Sequence, residues 1–305
     1  MEALRPGFTH VLTVDLEPWF TRGSALFGDT EGLDDDNCPM EGLSANLERL
    51  LALLERYDAR ATFFVLGPVA KLRPDLVRLV ADAGHEIAVH GYSHKLVYKT
   101  TAEEFREDVV RSLEVVAEAA GGVQPVGYRA PYFSVTHAST WALDVLADLG
   151  FRYDSSIFPV WRRLYGMSDF CTHATWVTTP GGRALFEVPP AALGWWRWRV
   201  PVAGGGYWRV LPTRIITGAL RRLERRGQPA VLYLHPYELN PEDACLDGGV
   251  GSVRNRCMLA WQRMGRRGFA GKLEAVLRRF RLGAVQDVFA DGLAAPEAGR
   301  RAVRL

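Results

Sequence analysis

Short runs of β-branched and other apolar residues alternate along most of this chain with longer segments whose apolar residues recur at helical spacing. The short runs, which predict buried strands, are HVLTVDL (10–16), RATFFVLG (60–67), EIAVH (86–90) and PAVLYLH (229–235). The longer segments, which predict helices, are 43–59, 73–85, 101–122, 137–150, 213–227 and 268–283. Buried strands that alternate with helices of about a dozen residues predict parallel βαβ units.

Local signals refine these elements. Ser44 is predicted to be the N-cap of the first helix, and Thr101 with Glu104 forms the Thr-x-x-Glu pattern of a capping box. Weaker strand-like runs are FRYDSSIF (151–158) and AVQDVFA (284–290).

The alternation stops after Phe158, where a stretch rich in Trp, Gly and Pro (159–212) predicts loops and short strands. The acidic stretch 29–41 contains no basic residue and is predicted to be an exposed loop. No internal repeat, low-complexity block or clear linker divides the chain. We therefore predict one α/β barrel-like domain with insertions over residues 1–240, and a C-terminal extension at 241–305 that packs on the same domain.

Composition is that of an ordinary soluble globular protein, with 48% hydrophobic and 24% charged residues in 305. The net charge of +2 hides an asymmetry. Residues 254–305 carry 12 Lys and Arg against 4 Asp and Glu, a net charge of +8, whereas residues 1–253 carry 25 against 31, a net charge of −6.

The cysteines and the N-terminus indicate a compartment. Cys38, Cys171, Cys245 and Cys257 form no C-x-x-C pair, which favours reduced thiols over a disulfide framework or a thiolate zinc site. The first residues, MEALRPGFTHVL, lack the pattern of a signal peptide, and no run approaches the roughly 18 apolar residues of a membrane span. We expect a cytoplasmic protein.

Polar residues follow the predicted strands at the ends where parallel α/β folds place their functional groups. One such residue is usually a helix cap or a satisfied core group. Two carboxylates, three histidines and an arginine that converge on one rim, with a further aspartate, instead suggest a metal hydrolase. The residues are Asp15, Glu17, His90, His94, Arg129, Asp154 and His235.

The segment HEIAVHGYSH (85–94) holds three of the seven histidines. Its first two, His85 and His90, are five residues apart, so the segment misses the H-E-x-x-H pattern of zinc proteases by one residue, which excludes that class. His90 and His94 are four apart and can reach one metal ion if the chain turns there. We expect a structural role for His85.

Five motifs occur in a family's order and spacing: LTVDLE, HEIAVHGYSH, GYRAPYFS, YDSSIFP and LYLHPYE. Together they resemble the polysaccharide deacetylases of carbohydrate esterase family 4, from about residue 9 to about residue 290. PVAGGGYWRVLP and LYLHPYELNPE further resemble the subfamily found beside exosortase-linked exopolysaccharide loci, which has its own C-terminal extension.

The resemblance implies a distorted (β/α) barrel that holds one divalent metal ion, most often Zn²⁺. His90 and His94 would be ligands, together with a carboxylate of the first motif. The family usually has adjacent aspartates there, whereas this chain has Asp15 and Glu17 two positions apart. In branches with that spacing the second carboxylate binds the metal, so Glu17 is assigned as ligand and Asp15 as general base. Pro18 replaces a further acid of the subfamily, which leaves the exchanged assignment open.

The same resemblance implies further roles. Arg129 would hold the base ionised, and the backbone N–H of Tyr132 would bind the oxyanion. His235 would protonate the leaving amine, with Asp154 as its partner. Leu234 would line the pocket for the acyl methyl.

Aromatic residues offer surfaces for sugar rings, with plain core packing as the alternative. We assign Trp19, Tyr207 and Trp208 to substrate binding. The tryptophans considered for stacking are Trp19, Trp161, Trp195, Trp196, Trp198 and Trp208.

The leading hypothesis is a metal-dependent N-deacetylase acting on a polysaccharide, an oligosaccharide or a lipid-linked glycan precursor. One alternative is a hydrolase of a small amino-sugar metabolite or another non-polymeric amide. A second is a catalytically inactive carbohydrate-binding protein, which loss of a ligand histidine, Asp15 or His235 would have favoured.

The basic segment 254–305 predicts either a solvated extension or a salt-sensitive contact with an anionic membrane surface. No nucleic-acid partner is expected, because the chain lacks a recognised nucleic-acid motif.

Overall fold

In the computed structural model, strand β1 (Thr9–Leu16) is buried along seven of its eight residues, as expected for a strand paired on both sides in a parallel sheet. The structure describes residues 7–19, 40, 42–162, 165–194, 198–242, 260, 263–294 and 302–305. The other strands are β2 (Thr62–Val65), β3 (Glu86–Val89), β4 (Gly127–Tyr128), β5 (Tyr153–Asp154), β6 (Thr175–Thr178), β7 (Ala184–Glu187), β8 (Ala192–Leu193), β9 (Val200–Pro201), β10 (Val231–Leu234), β11 (Arg281–Gly283) and β12 (Val303–Arg304).

The main sheet has the order β10-β1-β2-β3-β4-β5-β7-β6-β12. Neighbouring strands from β10 to β7 run parallel, and β6 pairs antiparallel with β7. Strand β11 lies beside the first residues of β1, and β10 lies beside the last. The chain after β7 returns to β10, because the Ala191 N–H donates to the Val231 carbonyl and the Tyr233 N–H donates to that of Ala203. The result is the predicted distorted (β/α) barrel.

Helices cover the outside of this barrel. They are α1 (Leu43–Arg56), α2 (Gly67–Leu72), α3 (Pro74–Asp82), α4 (Ala102–Ala119), α5 (Trp141–Asp148), α6 (Gly205–Val210), α7 (Thr213–Arg225), α8 (Phe269–Leu277), α9 (Val285–Val288) and α10 (Ala290–Ala294). The apolar stripe of α1 packs in one core cluster with Leu12 and Val14 of β1, whereas Val11 packs in a different cluster with Phe64. Because side chains alternate along a strand, odd-numbered residues of β1 face the barrel interior.

The described part of the C-terminal region packs against this barrel. Phe269 and Leu273 of α8 share the core cluster of β1, and β11 extends the sheet. Arg266 is buried and its guanidinium donates to the Tyr237 carbonyl, so it is not a solvated side chain. The division of the chain at residue 240 stays a prediction.

Two local expectations were wrong and two were right only in part. AVQDVFA is not a strand, because the N–H groups of Val285 and Gln286 are bound by Thr62 Oγ1 and Glu86 Oε2, which lets helix α9 begin there. In FRYDSSIF only Tyr153–Asp154 is a strand. The helix predicted over 268–283 ends at Leu277, and Arg281–Gly283 forms β11. Ser44 lies inside α1, where its hydroxyl donates to Glu48, and Gly42 is the N-cap. Nearly all of the acidic stretch 29–41 lies outside the described residues.

Candidate active site

The carboxyl ends of β1, β3, β4 and β10 surround one narrow cavity of about 40 Å³. Because these strands are parallel, the residues that follow them meet at the same end of the barrel. The cavity is lined by Asp15, Glu17, His90, His94, Ala130, Tyr132, Phe133, Tyr165, Tyr233 and His235. Both carboxylates and the three histidines among them are buried.

Three of the lining side chains form a group with the spacing of metal ligands. One ligand atom from each of Glu17, His90 and His94 lies within 4.8 Å of the others. Glu17 Oε2 is 2.7 Å from His94 Nε2 and 3.8 Å from His90 Nε2. His85 lies elsewhere, with its ring 5.2 Å from that of Phe63 and its Nδ1 accepting from the Ala61 N–H.

The protonation of this group suits a cation. His90 Nδ1 is 2.8 Å from the Arg129 carbonyl, so Nδ1 carries a proton and Nε2 presents its lone pair to Glu17. Burial lowers the pKa of His90 and favours its neutral form. Burial also raises the pKa of Glu17, but the adjacent His94, His235 and His90 outweigh it and hold that pKa well below its usual value.

The residues therefore fit a divalent metal ion. Glu17 Oε2 is buried, and among the described residues no hydrogen bond of acceptable geometry reaches it. A buried carboxylate without a hydrogen bond is costly, and a cation removes that cost. Two imidazole nitrogens and one carboxylate oxygen are a donor set used by catalytic zinc sites.

Helix α4 supports the loop between the two histidines. The Asp108 carboxylate accepts from the backbone N–H groups of Tyr92 and Ser93, each at 2.8 Å. The Ser112 hydroxyl donates to the Gly91 carbonyl at 2.9 Å. Sequence reasoning missed both residues, although Ser112 occupies a position on the buried stripe of α4 where an apolar residue is expected.

Asp15 is held by Arg129. Nη1 of this fully buried arginine donates to Asp15 Oδ1 at 2.6 Å and to Thr13 Oγ1 at 2.8 Å. Its other nitrogens donate to the carbonyl and hydroxyl of Ser155, and the guanidinium carbon lies 4.1 Å from the ring centre of Phe64. Arg129 therefore links Asp15 on β1 to Phe64 on β2 and to Ser155, which follows β5.

His235 lies between the carboxylates of the cavity and a third carboxylate behind it. Its Nε2 is 3.4 Å from Glu17 Oε1 and 3.7 Å from Asp15 Oδ2. Its Nδ1 is 3.4 Å from Oε2 of Glu238, which also accepts from the His235 backbone N–H. The ring stacks on Tyr237 with centres 4.7 Å apart.

The prediction that Asp154 is the partner of His235 was therefore wrong, because Glu238 takes that place. The Ser156 hydroxyl and backbone N–H both donate to the Asp154 carboxylate, and the same hydroxyl accepts from the Ala130 N–H. Asp154 thus supports the loop at Ala130. Glu238 was missed, although its position three residues after His235 is a recognisable signal, since the short helix Pro236–Leu239 brings it back.

The prediction that Leu234 lines the acyl pocket was wrong, because side chains alternate along a strand. Leu234 packs in the outer core cluster, and the residue before it, Tyr233, lines the cavity. Tyr132 also lines the cavity, in a left-handed backbone conformation (φ 56°), with its ring 4.7 Å from that of His94.

Two of the three residues assigned to substrate binding are core residues. Trp208 is buried, and its indole N–H donates to the Val202 carbonyl. Trp19 is also buried. Tyr207 is half-buried, and its hydroxyl lies 2.7 Å from that of Tyr165 at the cavity. Trp195 and Trp196 lie outside the described residues.

Comparison with protein families divides the chain near Asp154. The model described as polysaccharide deacetylase matches residues 33–153, and a domain of unknown function, DUF3473, matches 155–290. His90 and His94 lie in the first match and His235 in the second, so the cavity is assembled from both. Asp15 and Glu17 precede the first match.

Relatives with named activities cover only part of the chain. A peptidoglycan deacetylase of Helicobacter pylori is 29% identical over 131 residues, which are 43% of each protein. A peptidoglycan-N-acetylglucosamine deacetylase of Bacillus cereus is 34% identical over 84 residues, which are 28% of this chain and 30% of that protein. The chain thus spans less than half the length of these relatives.

A solved structure matches over nearly the whole chain. The structure of a putative polysaccharide deacetylase from Mycobacterium smegmatis has a TM-score of 0.58 and 22% identity, and the match covers 99% of this chain and 98% of that one. This similarity shows the fold.

The support of the histidine loop by Asp108 can be tested. In Asp108→Ala the N–H groups of Tyr92 and Ser93 lose their acceptor, so we expect Zn²⁺ affinity to fall about 10- to 100-fold, as for other groups that orient metal ligands. Competition with a chromophoric chelator measures the affinity. The exposed neighbour Glu107→Ala is the control. Equal affinities in both variants would contradict a supporting role.

The pairing of Asp154 with Glu187 predicts a pH-dependent stability. The two are Cα partners in β5 and β7, and burial followed by the Asp154 charge raises the pKa of Glu187 well above 4.5. In the folded state Glu187 therefore keeps its proton to a higher pH than in the unfolded state. The stability that this proton contributes is complete below pH 4.5 and is lost as the pH rises through the raised pKa. We therefore expect the free energy of unfolding to fall as the pH rises above 4.5.

In Glu187→Gln this decline should be smaller, because the amide stays neutral at every pH. Urea denaturation across the same range measures it, with the surface variant Glu118→Gln as control. Parallel profiles for wild type and Glu187→Gln would rule out a proton retained by Glu187 in the folded state.

Proposed function

Because the chain belongs to the polysaccharide deacetylase family, carbohydrate esterase family 4, we propose that it is a metal-dependent hydrolase that removes N-acetyl groups from amino sugars. The substrate would be a polysaccharide, an oligosaccharide or a lipid-linked glycan precursor. One observation carries the proposal: Glu17, His90 and His94 share a buried cavity with the Asp15–Arg129 ion pair and with His235.

Glu17, His90 and His94 would hold the metal ion, for which Zn²⁺ is the best candidate because of the nitrogen and oxygen donors. When bound, such an ion supplies Lewis-acid polarisation of an amide carbonyl, a poor electrophile at neutral pH.

Asp15 is proposed to accept the proton of the attacking water. A base must be fixed in direction, and the hydrogen bond from Arg129 fixes the Asp15 carboxylate. Oδ1 is engaged by Arg129, so Oδ2, on the side of His235, is the atom proposed to take the proton.

His235 is proposed to deliver a proton from Nε2 to the leaving amine. Glu238 would fix the ring through Nδ1, in the manner of the carboxylate of a catalytic triad. The backbone N–H of Tyr132 would stabilise the oxyanion, and Tyr233 would bound the space for the acyl methyl.

The cellular setting is inferred from the sequence. We infer a cytoplasmic enzyme of exopolysaccharide synthesis whose basic C-terminal segment makes peripheral contact with an anionic membrane surface. Among the described residues, no helix has the length and apolar character needed to cross a bilayer.

The ligand assignment predicts three losses of metal. His90→Ala, His94→Ala and Glu17→Gln should each lose bound Zn²⁺ together with acetate release from N-acetylated oligosaccharides. His85→Ala is the control and should keep its zinc, because that ring lies outside the cavity. Metal analysis after dialysis measures occupancy, and full occupancy in the first three variants would refute the assignment.

Asp15→Asn separates the two carboxylates. It should keep zinc and lose about 10²–10⁴-fold in turnover, the usual contribution of a general base. If Asp15→Asn loses zinc and Glu17→Gln keeps it, the roles are exchanged. Absence of acetate release by the zinc-loaded wild type from every N-acetylated sugar tested would contradict the proposed function.

Glu238 provides a further prediction. Glu238→Gln should lower kcat by about 10- to 100-fold, part of the contribution of a general acid, with zinc content and KM near the wild-type values. Glu242→Gln, an exposed glutamate four residues on, is the control. A change in KM alone would indicate a different role for Glu238.

A further inference from the structure

Two tryptophans of the segment 159–212 are largely exposed. Trp161 is 70% exposed and Trp198 is 85% exposed, whereas Trp19 and Trp208 are buried. A tryptophan side chain that stays in water does not gain the large favourable free energy of burying its ring. A pair of exposed indoles therefore indicates a binding surface.

The two tryptophans lie on neighbouring segments. The Arg199 guanidinium, from the residue after Trp198, donates to the Pro159 carbonyl at 3.3 Å, two residues before Trp161. It also donates to the Phe170 carbonyl. The Trp198 segment is thus fastened to the segment that carries Trp161.

Hydrogen bonds connect this surface to the catalytic cavity. Tyr165 lines the cavity, and its hydroxyl lies 2.7 Å from that of Tyr207. Arg162 Nε donates to the Tyr207 hydroxyl at 3.0 Å, and Arg162 Nη1 donates to the Trp161 carbonyl at 2.8 Å. These hydrogen bonds link the cavity wall to the backbone of Trp161.

The cavity itself is small. Its lining consists of Ala130, the proposed reacting groups and the rings of Tyr132, Phe133, Tyr165 and Tyr233, and Trp161 and Trp198 lie outside it. Further sugars of a longer substrate would lie outside the cavity, and Tyr207 and Arg162 connect its lining residue Tyr165 to the backbone of Trp161.

We propose that Trp161 and Trp198 form a platform on which sugars next to the reacting unit of an extended N-acetylated glycan stack. This rests on the proposed deacetylase function and narrows its substrate to oligomers of several units, as opposed to a single amino sugar. The apolar face of a sugar ring stacks on an indole, and Arg162 and Tyr207 supply polar groups for its hydroxyls. A membrane surface would also bind exposed indoles, but the contacts with the cavity wall favour the glycan.

The experiment measures binding and hydrolysis separately. Titration calorimetry of the zinc-loaded protein with β-1,4-linked N-acetylglucosamine oligomers of one to six units reports Kd, and acetate release reports turnover. Trp161→Ala and Trp198→Ala should each weaken hexamer binding about three- to tenfold, the loss of one aromatic contact, and leave single-sugar binding unchanged. Trp161→Phe should restore most of the loss, because its ring can still stack.

Val123→Ala is the matched control. Val123 is 61% exposed and lies between α4 and β4, at the opposite end of the barrel from the cavity. The platform is refuted if the tryptophan variants bind the hexamer like the wild type, or if the wild type binds one sugar as tightly as six.

Other outcomes separate the two proposals. Tryptophan-dependent hexamer binding without acetate release would leave the platform standing and remove the deacetylase function. Acetate release by the wild type, together with hexamer binding that the tryptophan substitutions do not change, would do the reverse. If the variants instead lose sedimentation with phosphatidylcholine–phosphatidylglycerol vesicles and keep their glycan binding, the surface is a membrane contact and the platform is wrong.

Discussion

The buried guanidinium of Arg129 is the interaction on which the rest of the site depends. It joins β1 to the chain after β5 through Thr13, Asp15 and Ser155, and it lies over the ring of Phe64 on β2. The backbone carbonyl of Arg129 accepts a hydrogen bond from Nδ1 of His90. Removing one partner of such a buried ion pair typically costs about 3–5 kcal/mol, because the other charge is left uncompensated. One residue thus stabilises the barrel, fixes the proposed base and orients a proposed metal ligand.

Several groups of the cavity are held by residues outside the strand that carries them. Asp108 and Ser112 of α4 hold the loop between His90 and His94, and Glu238 holds His235. Ser156, itself bound by Asp154, holds the loop that begins at Ala130. This arrangement lets catalytic groups sit on loops and still keep defined positions, which the chemistry of a small, buried site requires.

Much of this was predictable from particular residues. The apolar runs predict β1, β2, β3 and β10. Because parallel strands bring together the residues that follow them, the sequence also predicts that Asp15, Glu17, His90, His94, Arg129 and His235 converge at one end of the barrel. Errors arose where the outcome depended on contacts distant in sequence. AVQDVFA became a helix because Thr62 and Glu86 bind its first N–H groups, and Trp208 became a core residue because its ring packs beside that of Phe269, with ring centres 6.2 Å apart.

The sequence by itself determined which side chains reach the carboxyl end of the barrel, because strand periodicity and parallel topology follow from local pattern. Tertiary structure decided which of them are partners. Asp154 and Glu238 both stood within the recognised motifs, and only the folded chain turned Glu238 toward His235 and Asp154 toward Ser156 and Glu187. Tyr233 rather than Leu234 faces the cavity for a similar reason. The register of β10 with β1 decides which face of β10 points into the barrel. This register cannot be read from a short stretch of sequence.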